Sequence, residues 1–525
     1  MSAALLTEPE LSTTRRAPAP RPDRVSELTR RRLAPAMPAD GWRSWIPTGL
    51  ITAIAAILHL VGLTHPRGMI FDEIYYANEA QDLLYHGVEW DHAGNHAGYV
   101  VHPPLGKWLI ALGIQIFHMN ELGWRISAAV FGTLAVLVII RTGRRLFRST
   151  VLGCAAGLLM TLDGLAFVLG RTALLDVFLM FFILAAFACL VLDRDQRRGQ
   201  WLRALEAGRT RARFEVPWWR LASAAMLGCA MSVKWSAIWY IVLFGFLALL
   251  WEVGARRSAG VRRPWADALA GETGWLIVAG VVILVVYLAS WTGWFVTDVG
   301  YDRHWLRLTG HAEPPIIGAL QNLYHYHMEA LDFHNGLTAK HQYQSWPWQW
   351  LLLGRPVAFF WSSAGPCGGA NCASEVLLLG TPVLWWSFIP ALFGLGWFGI
   401  SRRDWRALAI GLSVAAGILP WFIWEVDDRT MFYFYVLPAE PFLILTLVYV
   451  LGALMLQPVR VGELRAAGGT ELLDPSERRT MGVIFGAAVL LAVAIIFAFF
   501  YPIYVGWNIT YDEWLARMWL GNRWI

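Results

Sequence analysis

Run after run of roughly 18 to 25 apolar residues punctuates this chain, and each is long enough to cross about 30 Å of hydrocarbon as a helix. Eleven such helices are predicted, at 46–63, 121–140, 149–168, 170–192, 218–233, 235–252, 273–297, 379–399, 407–424, 431–456 and 480–505. The turns at 168–172 and 233–235 are tight, so the count is fixed only to within one helix pair. The fold class this implies is an all-α polytopic membrane protein. Of the 525 residues, 57% are hydrophobic and only 15% are charged, whereas soluble domains carry about 25% charged residues. Little chain is left for soluble domains. Residues 1–45 contain the Arg- and Pro-rich stretch TTRRAPAPRPDR and no apolar core followed by a cleavage site. They read as a disordered cytoplasmic tail rather than a signal peptide. Residues 46–456 form the main transmembrane domain, and 457–525 hold an inner loop, the last helix and an outer tail.

Charge orients these helices. With a cytoplasmic N-terminus, the inner segments 1–45, 141–148, 193–217, 253–272, 400–406 and 457–479 hold 30 of the 43 Lys and Arg residues. The outer segments 64–120, 298–378, 425–430 and 506–525 hold 9. Basic residues concentrate on the cytoplasmic side, so the net charge of +5 reflects topology and not nucleic-acid binding. Two outer loops are large. In 64–120, FDEIYYANEAQDLLYHG and HPPLGKWLIALGIQIFHM are amphipathic enough to lie as helices on the membrane surface. The second also suits a half-buried, re-entrant segment. In 298–378 a helix is expected near EPPIIGALQNLYHYHMEAL. Cys154, Cys189 and Cys229 fall in helices as packing residues. Cys367 and Cys372 lie in an outer loop, where a short-loop disulfide and two free thiols are both open.

Four basic residues remain in or at the helices. Arg220, at an inner end, is explained by snorkelling. Arg125, Arg171 and Lys234 all fall at outer ends, in GWRISAA, VLGRTALLD and SVKWSA, level with the carboxylate pair Asp72–Glu73 of FDEIYYANEA. Charges in a membrane are costly and face a cavity or a partner, which points to one pocket at the outer face. The blander reading has each cation anchoring its own helix at the interface. Twelve of the 13 histidines lie in the two large outer loops. His325 with His327, or the run DHAGNHAGYVVH, offers imidazoles to a metal, but a polar, aromatic loop surface is the commoner explanation. No metal ligand is assigned, and a divalent-metal requirement stays open. Cations near a membrane surface suit a lipid phosphate, and a carboxylate beside them suits a general base acting on a hydroxyl. Adjacent helical residues project about 100° apart, so Asp72 and Glu73 do different jobs. For Asp72, a helix N-cap and a base weigh equally on spacing alone.

The ordered stretches FDEIYYANEA, HPPLGKWLI, WRISAAVFGTL, TLDGLAFVLGRTALLDVFLMFF, SVKWSA and RTMFYFYVLPAEPFL span about residues 46–456. Together they resemble a protein O-mannosyltransferase, in a bacterial form. The resemblance implies a GT-C glycosyltransferase fold with its catalytic domain at 46–456. It also implies transfer of mannose from polyprenyl-phosphate-mannose to Ser or Thr hydroxyls of secreted proteins, with inversion at the anomeric carbon. Asp72 and Glu73 match the catalytic pair of that family, and Arg125 matches its arginine at the start of the second helix. Lys107, Arg171, Lys234 and Arg429, in the same motifs, join Arg125 as candidates for the donor phosphate. His102 and Asp176 are acceptor-binding or structural candidates. A phosphodiester leaves well, so an inverting transfer needs a base and no acid. Asp72 is assigned as that base and Glu73 as a positioning group, the two roles being exchangeable.

No cofactor is implied beyond the lipid-linked donor. The expected partners are polyprenyl-phosphate-mannose, secreted proteins bearing Ser or Thr, the secretion translocon and membrane lipids, with no nucleic acid. The expected location is the plasma membrane, with the active site extracytoplasmic. Eukaryotic members insert a β-trefoil domain into the late outer loop, for which 298–378 is too short. Two other readings compete. One keeps the chemistry and changes the acceptor to a cell-wall glycan or lipid. The other is a transporter or flippase, against which stand the outer-end position of the polar residues and the lack of repeats or paired broken helices.

Overall fold

The computed structural model describes residues 25–34, 36–212, 215–455 and 475–525. The expected tail up to residue 24 and most of the expected inner loop 457–479 lie outside them. Within the rest of that tail, Glu27–Leu33 is helical, with the Ser26 hydroxyl accepting from the Thr29 N–H. It buries Leu33 against Trp201 and Ala255, so the stretch 1–45 is not irregular throughout.

Among the described residues, nine helices are long and apolar enough to cross a membrane by length and composition. They match nine of the eleven expected spans. The other two are shorter, for identifiable reasons. The span expected at 149–168 is divided into Thr150–Thr161 and Gly164–Leu169. Asp163 leaves the helix there to accept hydrogen bonds from the Thr381 N–H and the Trp385 indole, both at 2.8 Å. That junction ties the N-terminal half of the protein to its C-terminal half. The span expected at 218–233 is the 14-residue helix Trp218–Met231, which rises only about 21 Å.

Two helices form the centre. Asp176–Glu206 and Tyr433–Met455 bury 78% and 89% of their apolar windows, whereas Pro264–Ser290 buries 6%. A helix that is apolar all round belongs in a protein core or in lipid, and burial separates the two cases here. At the basic end of the molecule Arg220 does not snorkel. It is buried, and bonds Asp193 at 3.0 and 2.8 Å, Glu252 at 2.9 Å and Glu272 at 2.6 Å.

The two loop segments expected to be helical in 64–120 are Glu73–His86 and Leu105–Phe117. The second is half-buried: Lys107, Ile110, Ala111 and Ile114 are covered where it packs on Glu73–His86 and Glu121–Phe147, while Leu112 and Ile116 are exposed on its other face. The contact is so close that a Cβ at Gly113 would lie 2.3 Å from the Gly123 carbonyl oxygen. The late loop carries the expected helix, at Ile317–Gly336. It also carries strands the sequence pattern did not reveal. Val357–Ser362 pairs antiparallel with Cys372–Leu378, and Ile509–Thr510 adds a third strand opposite Cys372 and Ala373. Cys367 and Cys372 are joined by a disulfide. The membrane part is all-α, with this small sheet and a two-stranded hairpin, Trp90–Asp91 with His96–Ala97, added in the loops.

Candidate active site

The carboxylate pair sits at a strained corner. Phe71 has φ of +47°, a left-handed conformation that costs a non-glycine residue energy. Its ring stacks on Phe359 at 4.6 Å and meets Phe432 and Phe434 edge-on. The helix Glu73–His86 starts at this corner, and Asp72 occupies its N-cap position without making a side-chain cap bond. The two neighbouring carboxylates have opposite surroundings. Glu73 is fully buried. It accepts from Arg125 Nε and Nη2, both at 2.8 Å, and from the N–H groups of Ile70 and Ala173, both at 3.0 Å. Asp72 is only partly buried and, among the described residues, its carboxylate has no hydrogen-bond partner. Burial is the largest influence on Asp72 and raises its carboxyl to about 6; Lys234 pulls it down and Asp176 pushes it up.

Three of the five cations expected to bind phosphate are internal clamps instead. Arg125 has all five guanidinium N–H bonds engaged. Besides Glu73, it donates to the carbonyls of Leu63 at 3.2 Å, Pro66 at 2.8 Å and Gly68 at 2.9 Å. Nothing is left for a phosphate. Arg171 donates to the carbonyls of Leu58, His59, Val61 and Gly62, at 2.7 to 2.8 Å. It thereby satisfies the orphan carbonyls at the end of the helix Gly41–Leu60. Lys107 is fully buried between Glu89 and Glu79.

The other two cations, Lys234 and Arg429, line a cavity of about 310 Å³ together with His102, Asp176, His334 and Tyr435. Trp235, Trp239, Trp421 and Trp424 supply an aromatic side to the same space. Lys234 donates one bond to Asp176, at 2.7 Å, and an ammonium has three to give. Arg429 spends Nε on the His334 carbonyl at 2.9 Å and one Nη1 bond on the Thr430 carbonyl at 3.3 Å, while Nη2 reaches His334 Nδ1 only at 3.5 Å. Both cations can therefore turn donors toward an anion. His102 and His334 face each other at 5.3 Å between ring centroids. Burial, the largest cause in each, holds His102 well below the ordinary imidazole range and lowers His334, so both are neutral near pH 7. The structure thus gathers Lys234, Arg429, His102 and Asp176 around one space, and two of them, Lys234 and Asp176, are electrostatically coupled to Asp72. It adds His334 and Tyr435, which sequence reasoning missed.

The histidine sets that the sequence offered as metal ligands do not converge. His327 bonds the Tyr287 hydroxyl at 2.5 Å and the Leu323 carbonyl at 2.6 Å, while His325 faces Asp302 and Glu329. In the earlier run, His92 pairs with Asp82 at 2.8 Å, His96 bonds the Ala97 carbonyl, and His102 lines the cavity.

Comparison with known proteins places the chain in a family. Residues 49–290 match the family model described as dolichyl-phosphate-mannose-protein mannosyltransferase, and residues 319–524 match the C-terminal four-helix transmembrane region of protein O-mannosyltransferase. The polyprenol-phosphate-mannose–protein mannosyltransferase of Mycobacterium tuberculosis is 39% identical over 503 residues, covering 92% of each chain. The protein of that name from Corynebacterium glutamicum is 32% identical over 513 residues, covering 93% of this chain and 95% of the relative. In three dimensions the fold is similar to that of the Saccharomyces cerevisiae protein O-mannosyltransferase Pmt1–Pmt2 complex bound to the sugar donor. The TM-score is 0.69, with 14% identity over 95% of this chain and 94% of that one. The chain therefore belongs to the dolichyl-phosphate-mannose–protein mannosyltransferase family and has the GT-C glycosyltransferase fold.

Proposed function

We propose that this protein transfers mannose from polyprenyl-phosphate-mannose to Ser or Thr hydroxyls of proteins crossing the membrane, with inversion and with Asp72 as general base. The observation that carries the reading is the asymmetry of the carboxylate pair: Glu73 is saturated by Arg125 and two backbone N–H groups, while the Asp72 carboxylate has no hydrogen-bond partner among the described residues and is raised by burial. A catalytic base works best with an affinity for protons near the operating pH, and Asp72 lies closer to it than an exposed aspartate. In the proposed step the acceptor oxygen attacks the anomeric carbon as Asp72 takes its proton. The bond from that carbon to the phosphate oxygen breaks on the opposite face. Lys234 and Arg429 receive the charge that develops on the departing polyprenyl phosphate, as charge-assisted donors do. The four tryptophans of the cavity give the sugar and the first lipid units apolar surface. Glu73 and Arg125 act by holding Asp72 at its strained corner.

The division of basic residues, 30 on one side and 9 on the other, supports an extracytoplasmic site in the plasma membrane with a cytoplasmic N-terminus. The lipid-linked sugar is then used on the outer leaflet, and acceptors arrive extended, as they emerge from the secretion translocon. The protein embedded in membranes, incubated with labelled polyprenyl-phosphate-mannose and a Ser/Thr peptide, tests this. The proposal expects label on the peptide and an anomeric configuration opposite to that of the donor. Retention of configuration, or label only on glycan or lipid, would refute it.

A further inference from the structure

We propose that Asp302, His325 and Glu329 form a binding site for a divalent transition-metal ion of the zinc type, bracing the late loop against the helix Ile317–Gly336. The site lies outside the cavity and rests on its own geometry. His325 Nε2 is 3.4 Å from Asp302 Oδ2 and 3.4 Å from Glu329 Oε1, and all three ligand atoms lie within 4.8 Å of one another. Both contacts are too long for hydrogen bonds, which run about 2.7–3.2 Å. They match the edge of a tetrahedron around an ion with bonds of about 2.0–2.1 Å, which is about 3.3–3.4 Å.

The surroundings support the assignment. Glu329 follows His325 by four residues, which places both on one helix face. The third ligand comes from a separate segment, where Asp302 adopts φ of +52°. Trp305 stacks on His325 at 4.0 Å and sets the plane of its ring. One imidazole nitrogen and two carboxylate oxygens suit zinc and leave a fourth position to water. The set lacks the all-oxygen character that calcium or magnesium selects.

The consequence is structural. The same helix carries Asn322, which accepts from the Leu306 N–H at 3.0 Å and donates to the Arg303 carbonyl at 2.7 Å. Its far end supplies His334 and Asn335 to the cavity. An ion on His325 would add a second fastening between the 298–313 segment and this helix.

The test uses the full-length protein without a histidine tag, purified in detergent, stripped with a chelator and dialysed against zinc chloride or cobalt(II) chloride. The expected result is one zinc per chain bound in the micromolar range or tighter, with the visible absorption of tetrahedral cobalt. Loss of an outer-shell partner alone weakens metal affinity about 10- to 100-fold, so loss of the ligand in His325→Ala should weaken it at least about a hundredfold. His341→Ala, an exposed histidine on the same loop, should leave it unchanged. Zinc should raise the unfolding temperature of the wild type and not of His325→Ala. Equal unfolding of the two in chelator shows that the variant folds, and Glu329→Gln serves as a second variant. Zinc binding weaker than micromolar, or equal binding by wild type and His325→Ala, overturns the proposal.

Discussion

Replacing Arg125 with Ala is expected to damage folding rather than donor binding. The structure sets the magnitude. Truncation leaves the Glu73 carboxylate buried, with only the Ile70 and Ala173 N–H groups as partners. It also strips the guanidinium from three backbone carbonyls. Removing one partner of a buried ion pair costs about 3–5 kcal/mol, and water entering the vacated space would meet the carbonyls. Against a total stability of about 5–15 kcal/mol, the variant would be marginally folded. Glu73→Gln in the same background removes the stranded charge. The double variant should therefore lose less than the sum of the two single changes, with a coupling of about 1–3 kcal/mol. Denaturant unfolding of the four proteins in one detergent supplies the stabilities, and steady-state transfer by the folded fraction supplies the donor and acceptor KM values. An Arg125→Ala protein as stable as wild type, with a donor KM raised severalfold, would refute this reasoning and return Arg125 to the phosphate.

Three further outcomes follow from the cavity and the charge pattern. Asp72 must be ionised to act as a base, so the transfer rate should fall as pH drops through about 6. Because Lys234 lowers that value, Lys234→Met should move the acid limb of the pH–rate profile to higher pH; an unmoved or lowered limb contradicts the coupling. Arg429→Ala should raise the donor KM by roughly tenfold or more, the loss of one charge-assisted bond of about 1.5–3 kcal/mol, with the acceptor KM unchanged; a reversed pattern assigns Arg429 to the acceptor. Cysteines introduced at the exposed positions Ala93 and Ala207 should respond oppositely to a membrane-impermeant thiol reagent on intact cells, the first labelled and the second spared, and the reverse pattern inverts the topology.

The helices were legible because hydrophobic length is a local property. Each apolar run declares itself, and even the tight turn near 170 is present, as the non-helical segment that offers the Ala173 N–H to Glu73. That Asp72 and Glu73 would have different surroundings was legible too, since adjacent residues on a helix project about 100° apart, whereas which of the two would be buried and saturated was not. What stayed hidden was partnership. Arg125, Arg171, Lys107 and Lys234 look alike in sequence, as single cations near one membrane face. Only the folded chain shows three of them spent on carbonyls and carboxylates and one left beside a cavity. The split of the 149–168 span was hidden for the same reason, because the partners of Asp163 lie more than 200 residues away. The hairpin Val357–Ser362 with Cys372–Leu378 was obscured by length: short strands in a long loop carry little periodicity, and the strand Ile509–Thr510 that completes the sheet comes from the far end of the chain.

The central claim is that Asp72 takes the proton of the acceptor hydroxyl while Glu73 only holds it in place. The direct test is the single-turnover rate of Asp72→Asn, with labelled polyprenyl-phosphate-mannose and a Ser/Thr peptide, at pH values on both sides of 6. The substitution keeps the shape, and it removes no hydrogen bond, since the Asp72 carboxylate makes none among the described residues. Folding and donor binding should therefore match wild type, while the transfer rate falls by about 10²- to 10⁴-fold, the usual contribution of a general base, and loses its dependence on pH near 6. A folded Asp72→Asn protein that transfers mannose at close to the wild-type rate, with the same acid limb, would contradict the account.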